Sequence, residues 1–343
     1  MKKIINHKHS FLEKILIHTT LKLEGIKELF FDIEKFYFYD EKLTDDDENN
    51  FFITGLARSG TTMALNIFYD TNEFASFTYD DFPFILSPNT YLKFKKIFKF
   101  KASKQYVRAH NDGILISGNS PEAFDEIFWK QILSDNYIDE KILYKNDMNI
   151  EYIKQYKILI SLIKKKENKK KFISKNNNLV LRINSFIKNF PKSNILIFFR
   201  DPLYHCNSLL NQHKNFLNLQ EKNKFIETYM NYVGHFEFGN NLKIFDLGEK
   251  KENNPLNINF WIEQWINYYE YVLNFKSFEN VKLISYEDLS KNKNDYLKLK
   301  INKKFLVNID FEKYINKNLD YVNLEKSDMF NKAYIIYHKL INS

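Results

Sequence analysis

The chain has 343 residues, 44% of them hydrophobic and 27% charged, which are ordinary globular values for a length that can bury a sizeable core. Its formal net charge of +8 favours anionic partners without choosing among nucleotide, acidic glycan, lipid headgroup and nucleic acid. The single cysteine, Cys206, excludes an intramolecular disulfide, and no apolar run approaches the roughly 18 residues of a membrane span. The 33 Phe and 22 Tyr against 8 Gly and 6 Pro fit an AT-rich coding bias, so no single Lys or Asn gains weight from its abundance.

The opening MKKIINHKHSFLEK lacks the apolar core of a signal peptide, which together with the lone cysteine sets a cytoplasmic expectation. Ser10 and Glu13 have capping-box form, and Phe11, Ile15, Leu16, Leu23, Ile26, Leu29, Phe30 and Ile33 follow at helical spacing. Residues 1–50 thus read as a helical extension packed on the core, with peripheral membrane contact as the alternative. The acids between Thr44 and Asn50 are consecutive and not spaced like a metal-ligand loop, so this is a solvated linker.

At Phe51 an apolar run leads into Gly55-Leu-Ala-Arg58-Ser-Gly60-Thr-Thr62, after which Met63, Ala64, Ile67 and Phe68 recur at helical spacing. Strand, Gly loop and helix N-terminus form an anion-binding geometry, because unpaired N–H groups and the positive dipole end meet a backbone that can wrap an oxyanion. The loop nearly spells the nucleotide-binding G-x-x-x-x-G-K-[ST], but its Lys position is Thr61 and the cation has moved to Arg58. That argues against a nucleoside triphosphate.

Further on, Ser120 and Pro121 read as N-cap and first helical residue, which places Glu122, Asp125 and Glu126 in the opening turns of a helix. Acids are favoured there by the dipole alone; the chemical reading makes Glu122 the general base for an acceptor hydroxyl, with His110 as the alternative. Tyr152, Tyr156, Leu159, Ile160 and Ile163 line a helix that runs into a lysine-rich stretch, Lys164–Lys171, expected to be solvated. A strand at Phe172–Ser174 ends at Lys175, and a helix from Leu179 to Phe190 precedes the buried strand Ile195–Phe199.

This βαβ unit predicts a parallel sheet with its crevice at the carboxyl ends of the strands. The Gly55–Thr62 loop, Lys175 and Arg200 all fall at such ends. Asp201 and Pro202 then cap and open a helix in which Ser208 lies two turns in, so Arg200 and Ser208 can hold a second phosphate. The plainer alternatives are an ion pair of Arg200 with Asp201 or another acid and a solvated Ser208. Spacing alone assigns no mechanism to Gly234–Gly239. The stripe Phe260, Trp261, Trp265, Tyr268, Tyr269 and Val272 reads as a core helix, and Val281–Leu289 as a strand running into a turn. A polar tail follows from Lys291, with an amphipathic piece at Ala333–Ile341.

With these residues assembled, the chain resembles the sulfotransferases that use 3′-phosphoadenosine 5′-phosphosulfate (PAPS). The family's 5′-phosphosulfate loop looks like Gly55–Thr62, its 3′-phosphate motif like Phe198-Phe-Arg200-Asp-Pro202 through Ser208, and its strand-end lysine like Lys175. The Ser120–Glu126 segment looks most like bacterial enzymes acting on surface glycans. The resemblance implies a P-loop-like three-layer α/β fold, with a central parallel sheet flanked by helices in residues 51–290. Residues 1–50 are then the helical N-terminal extension and 291–343 a tail packed on the same domain.

It also implies that Arg58, Ser59, Gly60, Thr61, Thr62, Arg200 and Ser208 bind PAPS, with Arg58 and Lys175 acting in catalysis beside Glu122 or His110. In-line transfer to a hydroxyl or amine of a carbohydrate or glycolipid would need no metal and no nucleic acid, and would leave PAP as product. Three departures stand out. Arg58 replaces the Lys of small-molecule cytosolic enzymes, although many bacterial and carbohydrate relatives have Arg. Asn177 and Asn178 stand where relatives often carry Pro and His, which leaves the base open between Glu122 and His110. The sequence also shows no Gly-containing basic loop near its C-terminus like the one that covers the adenine in cytosolic members. The alternatives are a degenerate P-loop nucleotide kinase or hydrolase, with Asp201 as its only Mg²⁺ carboxylate, and a non-catalytic glycan- or anion-binding module.

Overall fold

The computed structural model describes residues 11–41, 50–97, 106–107, 115–134, 136–301 and 328–343; Ser10, the acids of the linker and His110 lie outside them. The N-terminal extension is two helices, α1 (Phe11–Lys22) and α2 (Glu24–Phe38), because Leu23 adopts an extended conformation between them. β1 (Phe51–Thr54), α3 (Thr61–Tyr69) and β2 (Phe74–Ala75) follow, then α4 (Pro88–Ile97). Two short strands, β3 (Tyr106–Val107) and β4 (Leu115–Ile116), precede α5 (Asp125–Leu133), β5 (Ile142–Leu143) and α6 (Ile150–Glu167). The second half runs β6 (Lys171–Lys175), α7 (Ile183–Asn189), β7 (Asn194–Phe199), α8 (Pro202–Lys222) and α9 (Lys224–Val233). It ends with β8 (Ile244–Phe245), α10 (Ile258–Val272), β9 (Val281–Ser285), α11 (Tyr286–Ile301) and α12 (Asp328–Ile341).

Five strands form one parallel sheet in the order β2-β6-β1-β7-β9. Both faces are covered, and the alternation of side chains shows by what. Phe51, Ile53, Leu196, Phe198 and Ile284 pack with α3 and α11, whereas Phe52, Ile195, Ile197, Phe199 and Leu283 join Phe186 of α7, Leu209 of α8, Trp265 of α10 and Ile336 of α12. Three layers result. Each of these strand side chains contributes about 1.5–3 kcal/mol on full burial. The aromatic stripe of α10 lies in this core, as its spacing predicts.

From central β1 the chain goes out to edge strand β2 and returns to β6 beside β1. It then crosses under α7 to β7 on the other side and finishes at β9. The loops after β1 and β7 therefore diverge from adjacent strands, the arrangement that opens a crevice at the carboxyl edge of an α/β sheet.

Three local expectations are corrected. Helix α5 begins at Asp125, not at Pro121: Pro121 bridges Thr78, and Ser120 accepts from the Ser117 N–H within a turn (3.0 Å), so pairing with a distant segment overrides the local start signal. Glu122 consequently lies in non-helical chain before the helix, its N–H bonded to the Phe77 carbonyl at 3.0 Å. The lysine stretch is a set of clamps and not a solvated face: buried Lys164 is followed by Lys166 at 2.8 Å from Asp81 and 3.0 Å from Glu167, while Lys165 donates to the Phe38 carbonyl. And β9 continues directly into α11 with no turn between them.

Candidate active site

The crevice is built from the β1–α3 loop outward. Gly55 needs its lack of a side chain, because a Cβ there would stand 2.5 Å from the Phe198 carbonyl oxygen of neighbouring β7. Gly60 caps α3 in the left-handed region (φ 100°) and supplies no side-chain acceptor, leaving the first-turn N–H groups of the helix to a ligand. Between them Arg58 is also left-handed, at φ 70°, an uncommon conformation for a residue with a Cβ.

Arg58 reaches across to the other half of the sheet, where its Nε donates to Ser208 Oγ of α8 at 3.2 Å. That bond joins two motifs 150 residues apart in sequence. Ser208 is thus not merely a solvated helix position. Arg200, at the tip of β7, lies with its guanidinium carbon 4.9 Å from the Tyr286 ring, and the same ring blocks the space a Cβ on Gly60 would fill, at 2.7 Å. Arg200 pairs with Glu287, at 3.9 Å from Nε, so the plainer reading of an ion pair with another acid holds, although not with the adjacent Asp201; Nε is buried and makes no hydrogen bond.

The acids around Arg200 are held by their own partners. Asp201 caps α8 by accepting from the N–H groups of Leu203 (2.9 Å) and Tyr204 (3.3 Å), and it also accepts from the Tyr334 hydroxyl. Glu287 accepts from the Asp201 N–H and the Tyr337 hydroxyl, and burial pushes its carboxyl up from the ordinary value. Both tyrosines come from α12. Asp201, the one carboxylate the nucleotide-kinase alternative offers for Mg²⁺, is engaged as a helix cap. Among the described residues no three His, Cys, Asp or Glu side chains group as a metal set.

On the far side of β1, Lys175 is buried at the end of β6, in register with Ile53, and the Asn176 N–H continues the ladder onto the Ile53 carbonyl. The next turn is anchored from below. Asn176 Nδ2 donates to Glu126 Oε2 (2.7 Å), and Glu126 is gripped bidentately by Arg182 at 2.9 and 3.0 Å and by the Tyr137 hydroxyl. Arg182 is completely enclosed between Trp129 and Tyr137, and its charge holds the Glu126 carboxyl below the usual range against the cost of burial.

Beside this pair, Asp125 accepts from the Tyr156 hydroxyl at 2.6 Å, and burial pushes its carboxyl from 3.8 up to about 7. Between those two values the folded chain holds one proton more than the unfolded chain, so this group's contribution to stability declines as the pH rises through that window. Asp125→Asn removes the titration. Its Tm relative to the parent is expected to rise between about pH 4 and about pH 7 and to level off above that, measured by thermal unfolding across a pH series; a pH-independent difference would mean that Asp125 titrates normally.

Glu122 sits on the same flank, its carboxylate accepting from the Tyr79 hydroxyl and the Ala123 N–H. Two residues to which spacing assigned no role arrive here. The Nε2 of His235 meets the Ala123 carbonyl at 3.0 Å, and Glu237 accepts from Asn177 Nδ2 at 2.7 Å. Gly234 joins them by accepting from Asn178 (3.1 Å). The Gly234–Gly239 segment and the turn after Lys175 therefore form one polar wall.

His205 is a further residue that motif matching passes over. It stands three residues before Ser208, on the same face of α8, so helical periodicity could have found it. Its Nε2 is 2.8 Å from the Ala57 carbonyl and its Nδ1 accepts from Trp265 Nε1 at 3.2 Å. Burial, with the Arg200 and Arg58 charges nearby, lowers its pKa to about 3.

No protein-family model matches this chain, and no curated protein does. Among solved structures it is similar to the sulfotransferase STF1 from Mycobacterium tuberculosis H37Rv, at 10% identity and a TM-score of 0.48 over 96% of this chain and 86% of that one. It is also similar to the sulfotransferase STF9 from Mycobacterium avium, at 11% identity and a TM-score of 0.47 over 94% and 76% of the two chains. The sulfotransferase domain from the curacin biosynthetic pathway gives 11% identity and a TM-score of 0.37 over 84% and 98%. At such values function has to be read from this chain's own residues.

Proposed function

We propose that the chain is a sulfotransferase that moves a sulfuryl group from PAPS to a hydroxyl or amine of an acceptor, with a carbohydrate or glycolipid as the acceptor class. The observation that carries the reading is the Arg58–Ser208 hydrogen bond, because it sets a helix N-terminus and a second, arginine-flanked station in one crevice. A donor with separated 5′ and 3′ phosphates requires two such stations; ATP, which has no 3′-phosphate, requires one.

Arg58 and the amides of Ser59, Gly60, Thr61 and Thr62 hold the 5′-phosphate and neutralise the oxygen on which charge develops as its bond to sulfur breaks. Arg200 and Ser208 hold the 3′-phosphate. Lys175 supports the sulfuryl oxygens while the acceptor oxygen forms its new bond to sulfur from the opposite side. Glu122 takes the acceptor proton, and Asn177, His235 and Glu237 offer the dense polar lining that suits a sugar. Fixed cations and amides serve where a kinase uses Mg²⁺, and a cytoplasmic location belongs to the same proposal.

Calorimetry with adenosine 3′,5′-bisphosphate in the presence of a chelator tests it. Metal-independent binding of the bisphosphate, followed by transfer from labelled PAPS to sugar acceptors, is the expected result. Binding of ATP·Mg with none of the bisphosphate would overturn it in favour of a nucleotide kinase.

A further inference from the structure

We propose that His205 is a positioning residue that fixes the orientation of the Ala57–Arg58 peptide and thereby the anion-binding form of the loop. The indole N–H of Trp265 can only donate, so Nδ1 of His205 must be the unprotonated nitrogen. The ring proton then sits on Nε2 and is donated to the Ala57 carbonyl. All three groups are buried: His205 and Trp265 are 0% exposed and Ala57 is 8% exposed. The ring is held neutral by the low pKa that burial imposes, so the tautomer does not change across ordinary pH.

In a planar trans peptide the carbonyl and the next N–H point in opposite directions. Tethering the Ala57 oxygen to α8 therefore turns the Arg58 N–H to the side away from His205. Without the tether, a flip of this peptide would relieve the left-handed Arg58 (φ 70°) and direct a carbonyl oxygen where the loop offers donors to an anion. His205 and Ser208 lie on one face of α8, so one helix fixes the loop backbone through the first and the Arg58 side chain through the second. The effect on donor affinity rests on the PAPS reading; the effect on the loop does not.

The test compares His205→Gln with His205→Asn in the full chain. The two amides differ chiefly in reach: the Gln nitrogen can occupy the position of Nε2, whereas the Asn nitrogen stops near Nδ1. His205→Asn is expected to weaken adenosine 3′,5′-bisphosphate binding by about tenfold, the scale of one buried hydrogen bond, and His205→Gln to restore most of it. In the unliganded protein, amide hydrogen exchange across residues 57–62 is expected to quicken in the Asn variant and not in the Gln variant. Equal exchange and equal affinity in both variants would overturn the proposal. If the parent itself fails to bind the bisphosphate, the donor reading falls and the exchange comparison still decides the role of His205.

Discussion

Arg58→Ala is expected to fold like the parent while losing sulfuryl transfer by roughly a hundred- to a thousandfold, the range seen when one preorganised stabiliser of developing charge is removed. Folding survives because Ala and Arg meet the same left-handed backbone cost at φ 70°, and because the side chain is only half-buried. Transfer suffers because two contributions vanish together. On the PAPS reading the cation beside the leaving oxygen is lost, and Ser208 loses its Arg58 donor. Arg58→Lys should fall between the two, since an ammonium restores charge without the planar fork. Labelled-donor assays with bisphosphate calorimetry on the same preparations check this; unchanged affinity and rate in Arg58→Ala would take Arg58 out of the donor site.

Arg182→Met is expected to destabilise the chain by about 3–5 kcal/mol, because it strands the Glu126 carboxylate in the core. Glu126→Gln should cost a comparable amount by leaving the guanidinium uncompensated between Trp129 and Tyr137. The double variant should recover much of the loss, since removing both charges removes the desolvation penalty as well. Urea unfolding of the four proteins gives the cycle, and additive losses would show that the pair is not coupled. A kinetic consequence accompanies the thermal one. Asn176 is bonded to Glu126 and directly follows Lys175, so variants that still fold should turn over more slowly, with donor affinity little changed.

Much of this architecture was legible locally. The β1–α3 loop, the Asp201 cap with Pro202 behind it, and the buried β7 all depend on residues within a few positions of one another, and each formed where the pattern placed it. What could not be read depends on partners far away in the chain. Ser120 and Pro121 have the chemistry of a helix start, yet Thr78 claims Pro121. Lys166 looks like one of a solvated series until Asp81 arrives from 85 residues upstream. Glu126 and Arg182 share no periodicity, and nothing about Gly234–Gly239 announces that it will line the turn after Lys175. Helix periodicity did hold a clue to His205, but a motif search looks at the residues it names and skips those between.

The supports of Arg200 set an order of events on the ribosome. The strands and the glycine loop are synthesised first, and the central sheet can close once β9 has emerged. Tyr334 and Tyr337, which bond Asp201 and Glu287 beside Arg200, belong to α12 and are made after every strand. A nascent chain that already holds the β1–α3 loop would still lack the two tyrosines that hold the acids beside Arg200.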